Sequence, residues 1–436
     1  MACRENTASR DQKKRKMNTD FRTEKYEKLM AEVTRLGGNG REFVDAVDDL
    51  YSAYGTPDVI WLAKLFDPDI GGWYYSNSAR DNDGFLPDIE STIQAMNYLK
   101  GSGMVRSDLE HPEWMLEKIK DFNLSLFDPE DGYIYHPQWG KKITDSRRGR
   151  DLMWSEDLSR RLGYKFSAPT ATERLRAARE AEGAKKKESL SAMPEYLRSE
   201  EAFREYMNSF DWENKAYWSG NVIAAQGAQI VNAGYKDIAI EILNSHQRAD
   251  TGIWGNATGY EGINGILKIS CFYGTAKSTI PNALNVARTA MDFICSDEKC
   301  STVCYQFNAW YSAWNAISNL RKYGNDKEKA EAEKIYIDLL RMAPEGLRAS
   351  KRKALTFKKA DGSFSYCPGC TCPTSQGAPV TPGLINEGDV NATILCTTGL
   401  VGKIFGALEL EEFMPPIHGK DQYEAFLENL RKPTKM

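Results

Sequence analysis

The chain has 436 residues, 41% of them hydrophobic and 27% charged, with a formal net charge of −4. That composition supplies a sizeable apolar core and excludes a general nucleic-acid binder, whose counterion-releasing surface must be basic. No apolar run approaches the roughly 20 residues that a bilayer-spanning helix needs, so no membrane partner is expected.

Residues 1–20 are polar and basic with no apolar stretch, which predicts a disordered tail rather than a secretory signal, and a cytoplasmic protein. From residue 21 to 436 one domain is expected. Helical periodicity dominates it, over 22–36, 40–54, 88–101, 111–125, 144–162, 171–182, 196–209, 217–233, 235–246, 260–275, 281–295, 305–323, 326–342, 389–410 and 420–431. Many of these segments pair through short connections holding Gly or Pro, the pattern of a repeated αα-hairpin. Within a pair the first helix is often small and apolar and the second more charged, as in 219–234 (SGNVIAAQGAQIVNAG) against the helix that follows it, or 305–320 (YQFNAWYSAWNAISNL) against 326–341 (DKEKAEAEKIYIDLLR). The prediction is an all-α fold, an α/α toroid of six or seven helix hairpins; an open solenoid has the same local signature.

Four Gly-aromatic turns punctuate the chain: DPDIGGWYY (67–75), DPEDGYIY (128–135), ADTGIWG (249–255) and DGSFSY (361–366). Each precedes an expected inner helix, so all four should meet at one face as short β-turn loops. Their aromatics, Trp73 and Trp254 among them, are either sugar-stacking platforms or plugs of the barrel mouth. Two excursions interrupt the pattern. Residues 163–200 read as an exposed helix plus linker, and 343–388 as a long loop of the kind that serves as a lid.

Inner helices that begin at one face bring their N-terminal N–H groups together there, which favours an anionic ligand. Asn77 and Arg80 lie in the first loop, and Arg147, Arg148 and Arg150 in SRRGRD; the last three equally fit ordinary ion pairs. The densest polar group is GIWGNATGYEGINGILK (252–268), with Asn256, Tyr260, Asn264 and Lys268. Tyr260, Asn264 and Lys268 recur every fourth residue and share a face. Amide and ammonium groups beside a Tyr would lower its pKa and let it serve as base and then acid. Asn221 in YWSGN, and Tyr305 and Asn308 in YQFNAWYSAWN, are further candidates. Carboxylates form a last group, Asp88 and Glu90 on one helix, Glu387 and Asp389 by another; Asp88 and Asp389 read first as N-caps. Cys367, Cys370 and Cys372 in CPGCTC are half of a zinc pattern that Cys300 and Cys304 would have to complete; no metal or cofactor is expected.

The helix pairs, the turns, and YWSGN followed by DTGIWGNATGY resemble α/α-toroid carbohydrate-active enzymes, most of all polysaccharide lyases acting on uronate glycans. The resemblance implies β-elimination on an acidic oligosaccharide or polysaccharide, with an Asn neutralising the uronate carboxylate and a Tyr moving the proton. Asn221 and Tyr260 best match those roles, with Asn264, Lys268 and Arg80 assisting. The sequence departs from the family at its usual catalytic His. Asn256 stands where it would be sought, and only His136, in YIYHPQWG, lies in a mouth loop. The alternatives are a glycoside hydrolase using Asp88 or Glu90 against Glu387 or Asp389, and a non-catalytic helical-repeat binding protein. A terpene-cyclase-like toroid lacks support because no DDxxD or DxDD run occurs.

Overall fold

The computed structural model describes residues 22–105, 110–174, 177 and 194–431. The tail expected over 1–20, and the Lys-rich part of the first excursion, lie outside them. The chain is mostly helical with little sheet, as an all-α protein should be. Residues 22–35 form α1, followed by α2 (Gly40–Tyr51) and α3 (Thr56–Lys64). A short α4 (Asn77–Arg80) precedes α5 (Ile89–Gly101), α6 (Glu113–Ser125) and α7 (Asp145–Leu162). Then come α8 (Glu200–Asn208), α9 (Ala216–Asn232), α10 (Lys236–Ser245), α11 (Gly259–Ala276) and α12 (Ala283–Cys295). The described chain continues through α13 (Tyr305–Tyr323), α14 (Asp326–Leu355), α15 (Val390–Cys396), α16 (Thr398–Ala407) and α17 (Lys420–Asn429).

Local chemistry explains most boundaries. Asn39, Asp88, Thr144, Ser199, Asn325 and Asp389 each accept a first-turn N–H as N-cap, and Gly163 ends α7 in the left-handed region. Three boundaries depart from the periodicity. Helix α3 is too short to show a clear period and is held by Gly55 N–H donating to Asp58 at 3.0 Å. The stretch expected as one helix over 389–410 breaks at Thr397 (φ −112°, ψ −101°), whose hydroxyl donates to the Thr393 carbonyl at 2.6 Å. The third concerns the expected long loop. Its first part is helical, because α14 runs through Pro344 to Leu355. A proline inside a helix costs about 3 kcal/mol. Buried Ala343, Leu347 and Ala354 offset that, and Gly346 lets Ile294 and Trp310 approach.

Packing follows a regular order. Helix α7 lies on α5, α5 on α15 and α16, α16 on α13, α13 on α11, and α11 on α9. The more charged α14 packs against α2, α12 and α13. The stretch Val390–Ala407 is long and apolar enough to pass for a membrane span, but 61% of it is buried among these neighbours.

The four Gly-aromatic turns share one construction. Gly71, Gly132, Gly252 and Gly362 all sit at positive φ, between 71° and 94°. Antiparallel bridges close the turns, Phe66 with Trp73 (in the hairpin of β1, Phe66–Asp67, and β2, Gly72–Trp73), Phe127 with Ile134, Gln247 with Trp254, and Lys358 with Phe364. Trp73 and Trp254 are both fully buried, and each indole N–H donates to a carbonyl of the preceding helix, Leu62 at 3.0 Å and Leu243 at 2.9 Å. Three of these glycines also abut another helix, Gly71 meeting Lys118 of α6, Gly252 Val286 of α12 and Gly362 Pro57 and Asp58 of α3, while Gly132 meets Pro169, Thr170 and Ala171. A Cβ at Gly252 would lie 2.5 Å from the Val286 side chain and 2.8 Å from its N. Gly252→Ala, strained at φ +71° as well, should destabilise the protein by more than about 1 kcal/mol, read as a lower urea midpoint at unchanged slope.

Candidate active site

The starts of α5 and α15 are built alike. Asp88 caps α5 by accepting the Ser91 N–H at 3.0 Å, and Asp389 caps α15 by accepting the Ala392 N–H at 2.7 Å. Each Asp donates its own N–H to a turn carbonyl, Asp88 to Trp73 and Asp389 to Phe364. Four residues on, the hydroxyls of Thr92 and Thr393 accept the N–H of the same Trp73 and Phe364, both at 3.0 Å. Both turns are thereby fixed to the helix they precede. The repeated spacing Asp-Ile/Val-x-x-Thr, at 88–92 and 389–393, was a legible signal of this duplication.

Beside the first cap lies a buried ionic cluster. Arg147, fully buried in the first turn of α7, donates to Asp88 at 3.0 Å, Glu90 at 2.9 Å and Asp151 at 2.8 Å. Arg150 adds a second cation on Glu90 at 2.6 Å. Trp139 lies 5.0 Å from the Arg147 guanidinium, and His136 stacks on Trp139 at 4.0 Å. Above them sits a hairpin, β3 (Thr374–Ser375) paired with β4 (Ala378–Pro379); the Ser375 hydroxyl donates to Glu90 at 2.8 Å. Burial pushes the Asp151 carboxyl up to about 7 despite Arg147, with Asp88 and Glu90 adding to the rise. Burial likewise pushes Asp389 up to about 7, against the hydrogen bonds it accepts from Ala392 and Tyr75.

A second polar group lies where α11 and α13 begin. The Asn308 amide donates to the Asn264 side-chain oxygen at 2.7 Å, and both residues are buried. The Asn264 amide nitrogen is buried and makes no close hydrogen bond, lying near the Tyr305 hydroxyl without bonding it tightly. Burial and the Glu261 charge raise the pKa of half-buried Tyr305, while the Asn264 amide pulls it down. Half-buried Lys268 is close enough to Cys304 and Cys271 to oppose the rise that burial causes in both thiols. Tyr366 joins the two groups, its N–H on Asp389 at 3.1 Å and its hydroxyl 3.9 Å from the Cys304 sulfur.

Several expected site residues serve elsewhere. Tyr260 is buried, and its hydroxyl turns to the Phe293 carbonyl of α12 at 3.3 Å. Burial raises its pKa far above the ordinary phenol value, and Cys300 next to it adds to the rise. Asn221 is exposed on α9; its neighbour Gly220 packs on Lys268 and Ile269, two helical turns down α11 from Tyr260. At about 1.5 Å per residue those two levels are about 12 Å apart, so the structure does not bring Asn221 and Tyr260 together. Trp73 and Trp254 are core rather than stacking platforms. Arg80 pairs with Asp81 at 2.8 Å, Asn77 donates to Asp361 at 3.1 Å, and exposed Asn256 has its backbone N–H on Glu213. His136 is buried with Nε2 2.7 Å from the Pro87 carbonyl, while Nδ1 accepts the Gln138 N–H; burial lowers its pKa. Glu387 accepts from the Ser76 hydroxyl at 2.7 Å and from Ser78, so it caps α4. Of the residues expected from sequence, Asn264, Lys268, Tyr305 and Asn308 are gathered, as are Asp88 and Glu90. Sequence reading undervalued Arg147, because nothing in SRRGRD distinguishes a buried arginine from an exposed one.

Comparisons of the chain with protein families, curated proteins and solved structures found no match.

Two measurements probe the buried carboxylates. Arg147→Met leaves three buried carboxylates without their common partner and should cost about 3–5 kcal/mol in urea unfolding. Asp389 titrates near 7 folded and near 3.8 unfolded, so the folded state binds more protons in between and its contribution to stability falls as pH rises from about 4 to 7. Asp389→Asn keeps the cap without the charge; between pH 5 and 8 its stability should therefore fall less than that of the wild type.

Proposed function

We propose that the chain is an α/α toroid acting as a lyase on a uronic-acid-containing glycan, with Asn264, Asn308, Lys268 and Tyr305 at its centre. Support for the toroid comes from the neighbour order of α7, α5, α15/α16, α13, α11 and α9, and from Gly362 of the last turn abutting α3, the first peripheral helix of the pairs. The single observation carrying the reaction is the Asn264–Asn308 amide pair, in which the Asn264 NH2 group is left without a close acceptor. A buried donor without a partner costs about 1–3 kcal/mol. A substrate carboxylate would satisfy it, and Lys268 would add positive charge.

The chemistry follows from that grip. Neutralising the carboxylate lowers the barrier to removing the proton on the carbon next to it, because charge spreads onto the carboxylate oxygens as the C–H bond breaks. Tyr305 replaces Tyr260 as the proton-moving group: after its hydroxyl proton has passed to solvent, the phenolate oxygen would take the C5 proton and return it to O4 as the C4–O4 bond breaks and the C4=C5 bond forms. Preorganised amide donors meet the developing charge without reorganisation.

The hydrolase alternative needs two carboxylates facing an open groove. Asp88, Glu90 and Asp389 are nearly inaccessible and occupied by caps and guanidiniums, and Glu387 is taken by two serines. That occupancy favours elimination.

A panel of uronate glycans assayed for ultraviolet-absorbing product tests the reading, since elimination leaves a C4=C5 double bond and hydrolysis does not. Product is expected, Tyr305→Phe should lower turnover by about 100-fold or more, and Tyr260→Phe should stay near wild type. New reducing ends without ultraviolet absorbance would overturn elimination in favour of hydrolysis.

A further inference from the structure

We propose that Cys367 and Cys370 are a modification site, a thiol pair that forms a reversible disulfide. They bracket Pro368 and Gly369, and the backbone turns back so sharply there that the two cysteines face each other as an isolated antiparallel pair. The Cys367 N–H donates to the Cys370 carbonyl at 3.0 Å, and the Cys370 N–H returns a bond to the Cys367 carbonyl at 3.3 Å. Residues exchanging both bonds have Cα atoms about 5.5 Å apart, within the separation a disulfide spans. Burial and the neighbouring Cys370 and Cys372 thiols raise the Cys367 pKa, and both Cys367 and Cys370 are partly exposed.

The other nearby thiols are committed. Cys372 donates to the Thr374 carbonyl at 3.1 Å, Cys304 lies against the Tyr366 hydroxyl, and buried Cys396 takes the Gln306 amide at 3.1 Å. Cys300 is buried beside Tyr260. Among the described residues no group of three or more His, Cys, Asp or Glu side chains is placed to hold a metal ion. The pair is thus arranged for bonding to each other rather than for ligation.

Closing so short a loop restricts the unfolded chain less than a long one would, so the bond is poorly suited to be a stabilising staple and better suited to reversible chemistry. The oxidant is a low-molecular-weight disulfide of the glutathione type. One cysteine thiolate attacks it, forming a mixed disulfide and expelling one small thiolate. The second cysteine, as thiolate, then attacks the protein sulfur of that mixed disulfide, forming the Cys367–Cys370 bond and expelling the other small thiolate. Two electrons pass from the cysteine pair to the oxidant, and the two protons lost by the cysteines end on the two released thiols. The site lies between Tyr366, which bonds Asp389, and the β3–β4 hairpin over Glu90, so its state bears on both halves of the site rim.

The test is differential alkylation of the full chain equilibrated in glutathione buffers from reducing to oxidising, with tandem mass spectrometry locating each thiol. In oxidising buffer Cys367 and Cys370 should both resist alkylation, their peptide lighter by two hydrogens, with Cys372 still alkylated and reductant restoring both. Cys372→Ser should behave the same, and Cys370→Ser should abolish the two-thiol loss. Alkylation of both cysteines throughout, a bond mapping to Cys372, a glutathione adduct that stops at Cys367, or an unchanged two-thiol loss in Cys370→Ser would each overturn the proposal.

Discussion

A helix that starts inside a protein leaves N–H groups that water cannot reach, and this constraint organises the molecule. Asp88 and Asp389 meet it for α5 and α15, and each caps its helix while donating its own N–H to the preceding turn. Threonines one helical turn further hold the same turns from the other side. Capping at these two helices is therefore also what aligns the turns that precede them. The carboxylates sit in low-dielectric surroundings as a consequence, and the rise of Asp389 to about 7 is the electrostatic cost of that location.

Arg147 extends the same logic. Three carboxylates crowd the start of α7, and a guanidinium with a fixed fork of donors can meet all of them at once, where the point charge of a lysine could not. Trp139, backed by His136, covers it, and the β3–β4 hairpin adds a hydroxyl to the network. Groups saturated in this way hold geometry rather than react. Unspent capacity lies at the starts of α11 and α13, in the Asn264 amide and Lys268 beside Tyr305, which is why the proposed chemistry moves there.

The Gly-aromatic turns also change meaning in three dimensions. Trp73 and Trp254 point back into the wall and bond carbonyls of the helix that leads into the turn, while the turn glycine admits the backbone or side chain of the next peripheral helix. A turn of this kind joins one helix pair to its neighbour. Its aromatic residue is buried because the indole fills the space between the elements it joins, and so cannot present a face to a sugar.

Much of the secondary structure was legible from residues alone, because N-caps, positive-φ glycines and apolar periodicity act over a few residues and need no distant partner. The all-α class, the four turns, and the Asp88 and Asp389 caps belong to that local chemistry. Distant contacts decided the rest. Pro344 lies within α14 because Ile294 and Trp310 pack on its neighbour Gly346. Arg147 is buried because carboxylates from α5 meet it. Tyr260 and Tyr305, similar in sequence context, part company because one hydroxyl turns to the Phe293 carbonyl while the other borders Asn264. Spacing along a helix determines which side chains share a face, but what that face meets depends on elements far away in the chain, and only the tertiary structure supplies them.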